Sequence, residues 1–204
     1  MLKSIQFILI VLFIATGISN ASCTTFQSEV MGDTLPYKTI PNYPEKYTPE
    51  SVIARMIDGV GFRFYWATEG LRKEDLAYKP SPEARTSEQT IDHILGLSNI
   101  IINSFTKTVN TQSGEEISSL SFEIKRKKVL ENLKKASDML RSGSISLEDS
   151  KILFKRKDKT LEFPFWNQIN GPISDTLWHI GQVVTFRRSS GNPFNAKVDV
   201  FMGK

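Results

Sequence analysis

The chain has 204 residues but only one cysteine, Cys23, and two histidines, His93 and His179. A single cysteine excludes an intramolecular disulfide, so this is not a disulfide-stapled scaffold. The apolar run nearest the N-terminus, Phe7 to Ala15, is well short of the ~18 residues that a spanning helix needs. There is no basic stripe with interleaved aromatics and no known nucleic-acid module, which excludes nucleic acid as the expected partner. The formal charge of +4 is too small to argue otherwise. The clearest basic run, Lys125-Arg-Lys-Lys128, lies beside Val129, Leu130 and Leu133 at helical spacing and reads as a solvated helix face. Internal repeats and low-complexity tracts are also missing.

The N-terminus carries Lys3, then the short apolar run, then small and polar residues from Thr16 to Cys23. These are the parts of a secretory signal peptide, expected over residues 1–22, and they predict an exported product, periplasmic or membrane-anchored. Ala21-Ser22-Cys23 resembles a bacterial lipobox, in which the cysteine becomes the lipidated first residue and attaches the protein to a membrane. Asn20 stands where leucine is usual, and cleavage after Ala21, with Ser19 upstream, is the competing reading. From Cys23 to Tyr47 the chain is polar, broken by Pro36, Pro41 and Pro44, and without a sustained period. Residues 23–47 therefore read as an extended tether or arm, and residues 48–204 as one domain long enough for a real core.

Four segments of that domain carry a helical period, predicting an all-α fold. The first opens at Thr48-Pro49, with a cap and a proline at the first helical position. It buries Val52, Ile53, Met56, Val60, Phe64, Ala67 and Leu71. Pro80 and Pro82 stop that region, and Thr86-Ser-Glu-Gln89 has capping-box spacing for the second helix. A third is expected from about Ser121 to Arg141. Ile152 to Lys155 and Thr160 to Phe163 suggest a small hairpin before the last helix. That helix is clear from Ile173 to Arg188 but is interrupted on paper by Gly171-Pro172.

The two histidines sit on the apolar sides of the second and last helices. Asp175 stands four positions before His179, so both side chains project from one face of one turn. His93, Asp175 and His179 are thus candidate metal ligands inside a helix bundle. Two imidazoles and a carboxylate suit Zn²⁺, Fe²⁺ or Ni²⁺. The competing reading is a hydrogen-bonded core histidine in each helix. Gln182, one turn beyond His179, is placed to orient a ligand or a water, or to bond a neighbouring helix. Asp92 faces elsewhere and is expected in solvent. Trp66 and Trp178 are expected in the core or lining a pocket, and Arg187 and Arg188 near a helix C-terminus, where cations favourably meet the dipole.

Tyr78-Lys-Pro80, Glu83-Ala-Arg-Thr-Ser87, His93-Ile-Leu95, His179-Ile-Gly-Gln182, Phe186-Arg-Arg188, Gly191-Asn-Pro-Phe194 and Val198-Asp-Val-Phe-Met-Gly203 occur in an order and spacing that resembles the DinB/YfiT-like superfamily. The resemblance runs from about Thr48 to the C-terminus. It implies an antiparallel four-helix bundle holding a divalent metal between helices, with three histidines as the usual ligands. The corresponding positions here are His93, Asp175 and His179, with Asp175 in place of a histidine. Superfamily members include thiol-dependent transferases and isomerases, and many pair through bundle faces, which implies a homodimer. The resulting expectation is a metal-dependent hydrolase or transferase acting on an unknown small molecule. The alternative is a noncatalytic envelope binding protein whose His/Asp cluster is structural or vestigial. Spacing identifies no general base beside the ligands.

Overall fold

The structure, a computed structural model, describes residues 35–111 and 114–204. The expected signal peptide, Cys23 and the first part of the tether lie outside the described residues. The fold is mostly helical, with one small antiparallel sheet. No described helix is long and apolar enough to cross a membrane.

Local chemistry explains where the long helices begin. Helix α1 (Pro49–Thr68) starts on Thr48, whose Oγ1 accepts the Ser51 N–H at 3.1 Å while Ser51 Oγ accepts the Thr48 N–H at 2.9 Å. A short helix, α2 (Lys73–Ala77), follows and was not legible as a period. Helix α3 (Ser87–Thr106) opens on the expected box, with Thr86 Oγ1 accepting from Gln89 N and Gln89 Oε1 from Thr86 N. After the short α4 (Gly114–Ser118), α5 (Phe122–Arg141) starts on Ser121 and buries Val129, Leu130, Leu133, Ala136 and Leu140. Strands β1 (Ile152–Arg156) and β2 (Lys159–Phe163) form the hairpin, turning at Lys157, which takes a left-handed backbone. Asn110 extends the sheet by exchanging backbone hydrogen bonds with Leu153 and Lys155.

Directions of the long helices follow from their cross-links. Arg126 bonds Thr68 and Arg141 bonds Asp58, so α1 and α5 are antiparallel. Lys125 meets Glu88 and Asn132 meets Asn99, so α3 and α5 run the same way. The last helix, α7 (Ser174–Ser189), opposes α3 and brings its C-terminal end to that of α1 through Arg187. The packing is therefore mixed parallel and antiparallel. Ile57, Phe64, Ile91, Ile94, Leu130 and Leu133 are fully enclosed in the core, each contributing about 1.5–3 kcal/mol by burial.

Several expectations are corrected by the packing. Val52 and Met56, assigned to the buried stripe of α1, are 45% and 40% exposed. Lys125, read as part of a solvated basic face, is wholly buried, with its ammonium 3.0 Å from Glu88 and 2.7 Å from Asp92. The described part of the expected tether, from Leu35 on, is docked rather than free and belongs to the same compact unit as the helices. Tyr37 is buried against α1 and donates to the buried Asp58 carboxylate, which also pairs with Arg141. Gly61 makes room for this contact, since a methyl there would overlap the Tyr37 ring. The Trp66 indole N–H donates to Lys38 O, and Ile40 N–H to Gly203 O, so the arm and the C-terminal tail meet.

Candidate metal centre

Asp175 and His179 reach their positions through an irregular start to the last helix. One turn, α6 (Trp166–Gln168), runs into a wide π-type turn over Ile169–Ile173. Pro172 has no N–H to continue a regular ladder, and Gly171 absorbs the break with φ −99° and ψ −111°. Helix α7 then begins at Ser174, leaving Asp175 in its first turn, where the positive end of the helix dipole favours a carboxylate. His179 lies one turn further along the same face, opposite His93 of α3.

The three expected residues come together. His93 Nε2 lies 3.4 Å from Asp175 Oδ2, and His179 Nε2 lies 3.3 Å from Asp175 Oδ1, one carboxylate oxygen to each ring. The three donor atoms fall within 4.8 Å of one another. The rings meet edge to face, with centroids 4.6 Å apart. Charge-assisted N–H···O⁻ bonds are usually about 2.7–2.9 Å, so both His–Asp spacings are long for direct hydrogen bonds. They match the edge of a tetrahedron with ligands about 2.0–2.1 Å from its centre, roughly 3.3–3.4 Å. The two spacings use different oxygens of Asp175, so a common ion would take both oxygens or a small turn of the carboxylate; the donor set and its mutual distances allow a divalent transition metal on those terms.

Electrostatics and hydrogen bonding favour the ligating forms. Burial first, then the proximity of the His179 ring and of the Arg85 guanidinium, hold the His93 imidazole below its ordinary pKa against the opposing pull of Asp175. His179 Nδ1 is 2.7 Å from Gln182 Oε1. With the amide oxygen on that side, Nδ1 carries the hydrogen and donates it, leaving the Nε2 lone pair toward Asp175. Gln182 thus bonds the histidine of its own helix rather than a neighbouring helix.

His93 and Asp175 are partly exposed, His179 much less so, and of the three only His93 borders a cleft. His93 lines a cleft of about 670 Å³ between α3, the segment after it and β1, together with Asp92, Asn99, Asn103, Asn110 and Arg156. Trp178 is 72% exposed and belongs neither to the core nor to this cleft. Trp66 is half-buried on the opposite side of the molecule's last helix, in a groove with Arg63 and Arg188. Asp92, expected in solvent, lines the cleft and pairs with Lys125, whose single positive charge it shares with Glu88. Sequence reasoning missed Asn99 and Asn103 of α3, Asn110 of the segment after it and Arg156 of β1, because no motif joins residues of three separate elements. Arg187 is nearly buried, its Nη1 donating to Trp66 O, Ala67 O and Glu69 O at the end of α1. It therefore serves the dipole of a neighbouring helix rather than its own. Comparison of the chain with family models, with curated proteins and with solved structures finds no match.

Proposed function

We propose that His93, Asp175 and His179 hold one divalent transition ion, zinc, nickel or iron, between α3 and α7, and that the site serves group transfer or hydrolysis on a small molecule entering the adjacent cleft. In this reading the four long helices constitute a DinB/YfiT-like four-helix bundle with one crossover connection, between the parallel α3 and α5, and the protein is exported. The observation that carries the metal reading is the pair of His–carboxylate spacings, long for hydrogen bonds and suited to a shared ion. A bound ion of this kind would supply Lewis acidity beside His93, the member of the cluster that lines the cleft.

The chain's own residues do the remaining work. Gln182 fixes the ring nitrogen that His179 offers, and the half-exposed Asp175 leaves its side of the cluster accessible. Asn99, Asn103 and Asn110 give the cleft wall amide groups suited to a polar substrate. Among the described residues Asp92 is the one carboxylate lining the cleft, and it shares the Lys125 ammonium with Glu88. A bound ion would acidify a water or another incoming nucleophile alike, so the want of a second carboxylate in the cleft does not separate hydrolysis from group transfer. The same observation supports a second reading, a noncatalytic envelope protein with a structural polar cluster.

Metal content of the purified full chain, prepared without a metal-binding tag and measured by mass spectrometry, tests the proposal. The expected result is close to one equivalent, lost in Asp175→Ala and in His179→Ala with helical content retained. No uptake of Zn²⁺, Ni²⁺ or Fe²⁺, or full occupancy in His179→Ala, would overturn the metal reading and favour the noncatalytic one.

A further inference from the structure

On the face formed by α1, α7 and the C-terminal tail, away from the His/Asp cluster, lie two grooves of about 350 Å³ each that share Arg63, Leu177 and Val200. One adds Arg55 and Phe201, the other Arg188. Neither is lined by a carboxylate. None of the three arginines has an ion-pair partner among the described residues. Arg55 is engaged by Pro41 O and the Tyr43 ring, whereas Arg63 donates only to Gly59 O of its own helix and Arg188 lies over the Phe194 ring. Asp199, the acid of the tail, is turned to the amides of Phe201 and Met202.

Apolar surface is concentrated at the same place. Leu177, Val200 and Phe201 are all exposed, Phe201 to 91%. An arrangement with unpaired guanidiniums beside an apolar trough suits a ligand that is anionic at one end and apolar along its length. Guanidinium forks match carboxylate and phosphate oxygens, and a trough of small-molecule size accepts a chain better than a flat surface does.

We propose that this double groove binds a single long-chain anion, a fatty carboxylate or alkyl phosphate, with its head at Arg63 and its chain along Leu177 and Val200. The site is separate from the His/Asp cluster and does not depend on the metal reading. The full chain is titrated calorimetrically with dodecanoate and with dodecyl phosphate, both below their micelle concentrations, and with dodecyltrimethylammonium as the cationic control. Amide shifts of Gly181 and Val200 locate the binding.

The expected result is saturable binding of the two anions with shifts at those amides, weak binding of the cation, and a loss of about tenfold or more in Arg63→Gln. Arg188→Gln and Leu177→Asp provide independent variants should Arg63→Gln fold poorly. Equal binding of cation and anion would overturn the proposal, as would wild-type affinity in all three variants. So would binding to phosphatidylglycerol vesicles without binding of the monomeric anions, or a dimer that covers the two reporter amides.

Discussion

The amide oxygen of Gln182 decides which nitrogen of His179 keeps its lone pair, so a side chain that need not touch a metal controls whether one can bind. Gln182→Leu should weaken zinc affinity about 10–100-fold with the circular dichroism spectrum unchanged. Unaltered affinity in a competition titration would remove Gln182 from the centre. Asp75 is a second residue with more partners than its position suggests. Buried, it accepts from the Arg72 side chain and backbone, from Ser190 Oγ and from Asn192 Nδ2. These bonds, led by Arg72, hold its carboxyl well below the usual range. The unfolded chain therefore takes up this proton first as pH falls. The stabilisation is complete above about pH 5 and is lost progressively through and below the ordinary value of about 3.9. Thermal midpoints from pH 8 to 3 should show that decline, and Asp75→Asn should lower the midpoint at pH 7 and flatten the slope. An equally steep slope in the variant would assign the acid sensitivity elsewhere. Of the His/Asp cluster, the Asp175–His179 pair was legible because its helical spacing is local, and His93 because it is the one other histidine and sits on an apolar helix face. The Asp92–Lys125 pair was not, because its partner comes from another helix.

Helix beginnings were readable because a cap is a contact within a few residues. Thr48, Thr86 and Ser121 each start the helix their neighbours suggest. The interruption at Gly171-Pro172 was readable as a break, but its wide-turn form depends on how α7 packs. The docked arm had no signal of its own. Tyr37 is held by an absence, the missing side chain of Gly61, together with a buried carboxylate on α1. Gly61→Ala should displace the Tyr37 ring and cost about 1–3 kcal/mol, with faster proteolysis of the segment before Thr48. If cleavage and the denaturation midpoint match the wild type, Tyr37 has another way to seat and the contact is not selective.

Helix directions across the whole molecule were the least legible property, since periodicity identifies a buried face without saying which way a neighbour runs. The observed pairing has a kinetic consequence. His93 and Asp175 are 82 positions apart, and α3 meets α7 only after the intervening chain has passed through α5 and the hairpin. Closing so long a loop is entropically expensive, and contacts of high sequence separation slow folding. If the α3–α7 seam closes after the transition state, a bound ion should act on the unfolding limb. In stopped-flow experiments saturating zinc should then slow unfolding while leaving the refolding rate nearly unchanged. An accelerated refolding rate would mean that the two helices meet early. With late closure the centre would be a lock on a fold already made, its occupancy setting how long each molecule stays folded rather than how fast it gets there.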